Sequence, residues 1–108
     1  MPIIKNGPSV DGIYTETEGA KAMTYRDIFL RGEYDVGVTY NDVFPGGNSK
    51  DHFHPGFHVT YIVSGEGMLK SGDEFFPLKA GDIIYLQDNE PHCYINTGKE
   101  VLRLLGIK

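Results

Sequence analysis

Three of the four histidines of this chain, His52, His54 and His58, fall within seven residues, and the fourth, His92, follows Pro91 further on. Random scatter over 108 residues does not produce that clustering. The first reading is chemical: all four histidines bind one metal ion. Side chains two apart on a β-strand share a face, with Cα atoms roughly 6.5–7 Å apart. His52 and His54 can therefore lean toward one point while Phe53 faces away. Pro55-Gly56 favours a bend, after which His58 opens the next segment facing that same point. His92, at the start of a later strand, can return as a neighbour.

Four imidazoles suit Mn, Fe, Co, Ni, Cu or Zn and disfavour Ca or Mg. The lack of cysteine ligands disfavours a structural zinc cluster. An octahedral ion with four protein ligands keeps two positions for water, dioxygen or a bidentate substrate. Partners that set the histidine tautomers are nominated by strand alternation: Thr60 from His58, and Tyr94 and Asn96 from His92. Asn96 is read first as a turn residue. Tyr40 and Arg103 are pocket candidates that read equally as ordinary strand side chains, and Phe53, Phe57, Phe75 and Phe76 read as packing. Two plainer accounts stay open: a surface cluster that takes up metal adventitiously, and an ion with a purely structural role.

The elements that must position these groups are strands. Fourteen glycines and six prolines are spread along the chain, and turn signals recur about every 8–12 residues, the pattern of an antiparallel sandwich or barrel. Strands are expected near Ile13–Tyr14, at Tyr25–Leu30, and along Val36, Val38 and Tyr40, the last stopped by Phe44-Pro45-Gly46-Gly47. A short helix is conceivable around Glu18–Met23. Val59–Ser64 is a strand, and Gly65-Glu66-Gly67 reads as a turn into a returning strand at Met68–Lys70. Ser71-Gly72-Asp73 reads as a second hairpin turn, leading to Glu74–Pro77. Strands at Ile83–Leu86, His92–Asn96 and Val101–Ile107 follow, each behind its own turn. No repeat or linker divides the chain, so one domain is expected, with residues 1–22 as an arm.

Apolar residues make up 40% of the chain and its net charge is −5 without a basic cluster, which speaks for a folded protein and against nucleic acid or an acidic membrane as partners. No signal peptide and no membrane-length apolar run is visible. Cys93 is alone, so no intrachain disulfide demands an oxidising compartment, and a cytoplasmic setting is the default. Cys93 reads as a strand residue rather than a ligand.

Gly46, then His52-x-His54, position 58 and Gly65, followed by Pro77, Gly81-Asp82 and Pro91-His92-x-x-x-Asn96, resembles the two motifs of the cupin family over about residues 36–107. The resemblance implies an all-β jelly-roll barrel (a double-stranded β-helix) with a divalent transition metal in its lumen, usually as a homodimer, and makes His52, His54 and His92 ligands. The family usually has glutamate where this chain has His58. Neutral imidazoles leave the full charge of the ion uncompensated, which favours anionic ligands such as an enolate and lowers the pKa of bound water. Metal-bound water or hydroxide is then the expected base, since no nucleophile or acid–base pair stands out. The resemblance implies a metal-dependent enzyme acting on a small oxygenated molecule, such as a diketone, enol or catechol-like compound, by dioxygenase-type cleavage. Lyase, cyclase or isomerase chemistry is an alternative, as is a binding or sensing module without turnover.

Overall fold

The computed structural model describes residues 1–16 and 19–108. Among the described residues ten strands follow a short 3-10 turn at Gly7–Ser9: β1 (Ile13–Thr15), β2 (Lys21–Tyr25), β3 (Asp27–Phe29), β4 (Val38–Asn48), β5 (His58–Ser64), β6 (Glu66–Ser71), β7 (Glu74–Lys79), β8 (Ile83–Leu86), β9 (Cys93–Ile95) and β10 (Leu102–Ile107). They form one curled sheet in the order β7-β6-β9-β4-β10-β5-β8, with β2 and β3 also on β4 and β1 on β2. The all-β jelly-roll barrel expected above is what the chain forms.

The long strand β4 joins the two halves. Its first part, Val38–Val43, pairs with β10, while Asn48 pairs with Ile95 of β9. Phe44-Pro45-Gly46-Gly47 therefore does not end the strand, as expected from its residue types, but bends it. Met23 of β2 pairs with Val43, and Lys21 with Asn48, so β4 carries extra residues there as a bulge. Gly46 supplies a φ of 80°. Gly47 lets the backbones close up, since a Cβ on it would lie 2.5 Å from the Lys21 carbonyl oxygen.

Two further local expectations change. Residues 21–25 are strand rather than helix, and Glu18, where that helix was placed, lies outside the described residues. Tyr25–Leu30 divides into β2 and β3. Of the turns beyond Gly65, only Ser71-Gly72-Asp73 makes a true hairpin, β6 with β7. Gly65 links β5 and β6, but β5 pairs with β8 and β10 while β6 pairs with β7 and β9. These links cross between the two halves of the barrel. A turn signal gives a change of direction and leaves the pairing partner to long-range packing.

Alternation places one face of each strand inward. Val43, Ile62 and Leu102 are fully buried, and Leu69, Leu78, Leu86 and Leu104 pack around them. The outer face of β4 carries Tyr40 and Asp42. The arm lies over it: Gly7 packs against the Tyr40 ring, and Arg26 Nε donates to the Val10 carbonyl at 3.0 Å. Among the described residues no helix is long and apolar enough to cross a membrane.

Candidate metal centre

The four histidines gather at one end of the barrel from three separate stretches. His52 and His92 form an antiparallel bridge, with His52 N–H donating to the His92 carbonyl at 3.2 Å and the reverse bond at 2.9 Å. His54 follows in the same loop, and Asn89 N–H ties its carbonyl at 3.0 Å. His58 opens β5 opposite Leu86. Ring centroids lie 4.5 Å apart for His52 and His92, and 5.2 Å apart for His54 with either of them.

The tautomers follow from backbone carbonyls, which can only accept. His52 Nδ1 donates to the Lys50 carbonyl at 2.8 Å, His92 Nδ1 to Glu90 at 2.9 Å and His54 Nδ1 to Pro55 at 3.2 Å. Each of the three rings thereby keeps Nε2 bare as a ligand atom. Ligand nitrogens of His52, His54 and His92 lie within 4.8 Å of one another, so this group can hold a transition metal. His58 stands beside the trio, its ring 4.2 Å from His54 and 5.4 Å from His92.

Crowding suppresses protonation here. Burial, with His54, His92 and Lys108 adding repulsion, pushes His58 from its ordinary 6.5 to about 4. Burial also lowers His92, against the opposing pull of the Glu90 carbonyl. Between these values the unfolded chain takes up a proton that the metal-free fold refuses. Stability is therefore unaffected above about pH 6.5 and falls as the pH drops toward 4. The thermal midpoint of chelator-treated protein should be flat from pH 7 to 8 and decline below 6.5. A midpoint that rises on acidification would contradict this.

Beneath the histidines lies a cavity of about 270 Å³, reached by His52, His58 and His92 and walled by Met23, Tyr25, Tyr94 and Leu104. Among the described residues no carboxylate lines it, and Lys50 is one of its lining residues. Thr60 and Tyr94, nominated as histidine partners, do face this interior but bond to each other: Tyr94 OH donates to Thr60 Oγ1 at 2.9 Å. Burial raises both the Tyr94 and Tyr25 phenols to about 12, so neither acts as a base near neutrality.

Tyr40 and Arg103 do not line this cavity. Both lie on the opposite face of their strands, where Asp42 sits between Arg26 at 3.0 Å and Arg103 at 3.3 Å. Asn96 is 2% exposed and acts as a structural tie rather than a tautomer partner. Phe53, Phe57, Phe75 and Phe76 are exposed rather than packed inside, and Phe57 stacks on Tyr85 at 5.9 Å. Alternation along β2 and β4 could have found Met23 and Asn41 in the cavity wall. The three carbonyl partners have no residue-type signature at all.

Comparison with known proteins agrees with this architecture. Residues 41–108 match the family described as "Cupin domain". The chain is 36% identical over 64 residues to the oxalate-binding protein of Thermotoga maritima, which covers 58% of this chain and 53% of that one. It is 32% identical over 77 residues to (S)-ureidoglycine aminohydrolase of Arabidopsis thaliana, covering 69% of this chain and 26% of that one. It thus spans about half or less of the length of these relatives. Among solved structures, one described as a predicted oxalate decarboxylase from Thermotoga maritima aligns with TM-score 0.87 at 22% identity, over 97% of this chain and 96% of that one. The polyketide cyclase RemF from Streptomyces resistomycificus aligns with TM-score 0.85 at 23% identity, over 99% and 78% respectively. At such identities the structural likeness speaks for the fold alone.

Proposed function

This chain belongs to the cupin family, and from that premise we propose that it is a metal-dependent enzyme acting on a small oxygenated anion. The observation that carries the proposal is the convergence of ligand nitrogens of His52, His54 and His92 within 4.8 Å, each of these rings being oriented by a carbonyl bond to Nδ1. In this reading His52, His54, His58 and His92 all hold one divalent ion, of Mn, Fe, Co, Ni, Cu or Zn. When bound, such an ion would supply Lewis acidity and the coordination positions that four protein ligands leave open, for a bidentate substrate or for a singly bound substrate together with dioxygen.

The chain's own residues do the rest. Four neutral imidazoles would cancel none of the ion's charge, and among the described residues no carboxylate lines the cavity. An anionic substrate, such as an enolate or a carboxylate, is favoured at every one of these points. Met23, Tyr94 and Leu104 exclude water below it, while the Tyr94–Thr60 hydrogen bond keeps both hydroxyls fixed. The Tyr25 and Tyr94 phenols of the wall are no bases near neutrality, so metal-bound water or hydroxide would be the base, and oxidative cleavage would take its oxidant from dioxygen. We therefore assign dioxygenase-type cleavage of a diketone, enol or catechol-like compound.

Metal-reconstituted protein in an oxygen electrode with such a panel should consume dioxygen in proportion to substrate lost. Saturable binding without consumption of either would overturn the enzyme and leave a small-molecule carrier. The carrier reading has its own support in the relative named for binding oxalate. The His58→Glu variant should keep its metal yet bind carboxylates at least about tenfold more weakly, because one unit of charge on the ion is then cancelled. Equal carboxylate affinity in the two proteins would remove the charge argument.

Pairing of two copies belongs to the same proposal. Tyr61, Ile83 and Tyr85 leave an exposed apolar face on β5 and the edge strand β8. Sedimentation as a single chain at micromolar concentration would remove it.

A further inference from the structure

A second hollow, of about 460 Å³, adjoins the histidine cluster at His54 and His58. Arg31, His54, Pro55, Phe57, His58 and Lys108 line it. His58 faces both spaces. Arg31 follows β3 and Lys108 follows β10, so the two cations arrive from separate parts of the chain.

Gly37 brings them together. Its N–H donates to the Lys108 carbonyl at 2.8 Å, and Lys108 N–H returns a bond to the Gly37 carbonyl at 3.0 Å. A Cβ at Gly37 would lie 3.1 Å from Lys108 Cγ and 3.4 Å from Arg31 Cβ, so both stems flank the space this glycine leaves empty. Among the described residues neither cation has a carboxylate partner. Asp88, which reaches the same loop, is engaged by Gly56 N–H at 2.7 Å. In a chain of net charge −5, two cations that line one hollow favour an anion there.

We infer that Arg31 and Lys108 form a second anion-binding point, which takes the distal carboxylate of a dicarboxylate whose other carboxylate is held at the histidine centre. The inference rests on the metal reading above. It deepens that reading by giving the substrate a second acidic group. Oxalate does not meet this description, because its adjacent carboxylates chelate one ion together and leave no group to reach the rim.

Calorimetry on the metal-loaded full chain tests it, with succinate against butyrate and glutarate against pentanoate as probes of equal carbon number. The wild-type protein should bind each dicarboxylate at least about tenfold tighter than its monocarboxylate. The doubly substituted Arg31→Gln, Lys108→Gln protein should lose that preference, with metal content and monocarboxylate affinity unchanged. A metal-loaded wild-type protein without the preference, or a double variant that retains it, overturns this inference alone. Failure of the wild-type chain to take up any metal overturns it together with the metal reading. Because both substituted side chains are at the rim, the melting temperature of the double variant should match the wild type within about 2 °C.

Discussion

The His92→Ala protein is expected to emerge with less than about a tenth of the wild-type metal content, and to need more than about a hundredfold higher free metal to fill. Structural four-ligand sites are worth about 10–16 kcal/mol in all, so one imidazole represents about 3 kcal/mol, or over a hundredfold in affinity. His92 is the member to remove first, because it is 4% exposed and belongs to the trio whose ligand atoms converge within 4.8 Å. Its backbone bridge to His52 uses main-chain atoms only, so alanine leaves that bridge in place. Equilibrium dialysis with a defined metal, alongside circular dichroism of the same sample, separates loss of a ligand from loss of the fold. Undiminished affinity in a folded His92→Ala protein would mean that the ion, if any, is held elsewhere.

A comparable effect on stability is expected at Asn96, far from any chemistry. Its side-chain amide donates to the Val43 carbonyl and to the Glu100 carbonyl, each at 2.8 Å, and its oxygen accepts from Gly98 N–H at 2.8 Å. One side chain thus ties the strand leading out of β9, the bulged strand β4 and the loop entering β10. Alanine removes all three bonds at a site 2% exposed, with little room for water to replace them. The expected loss is about 3 kcal/mol, which lowers the melting temperature of a domain of this size by about 15 °C. Asn96→Asp should cost about as much, since a carboxylate can still accept from Gly98 but faces two carbonyls it cannot donate to. Chemical denaturation that shows less than about 1 kcal/mol for both variants would contradict this role.

The histidine cluster was legible in the sequence because histidine is chemically distinctive and three of the four stand within seven residues. Thr60 and Tyr94 were legible as inward-facing by strand alternation from His58 and His92. What alternation could not supply was their partners. The hydroxyls meet each other across the barrel, and the imidazoles bond to carbonyls of Lys50, Pro55 and Glu90, which any residue could have offered. Tyr40 and Arg103 show the converse limit. Their period was right for a strand, but which face looks inward is decided by pairing with β10 and β2, not by their own residue types.

The strand boundaries teach a related lesson. Pro45-Gly46-Gly47 has the composition of a strand end, yet β4 runs through it because partners on both sides keep it extended. Likewise β5 and β6 are separated by one glycine and still lie in different halves of the barrel. The exposed phenylalanines follow the same rule. Phe75 and Phe76 are consecutive in β7 and both stay exposed at the sheet edge, a placement that hydrophobicity alone argues against.

X-ray absorption at the metal edge of the reconstituted, untagged wild-type protein addresses the four-histidine centre most directly, because it counts imidazoles on the ion. Four imidazole nitrogens at about 2.0–2.2 Å, with the count falling to three in a His58→Ala sample, is the predicted result. A wild-type spectrum with three imidazoles, unchanged by removal of His58, would contradict it and return His58 to the wall of the cavity.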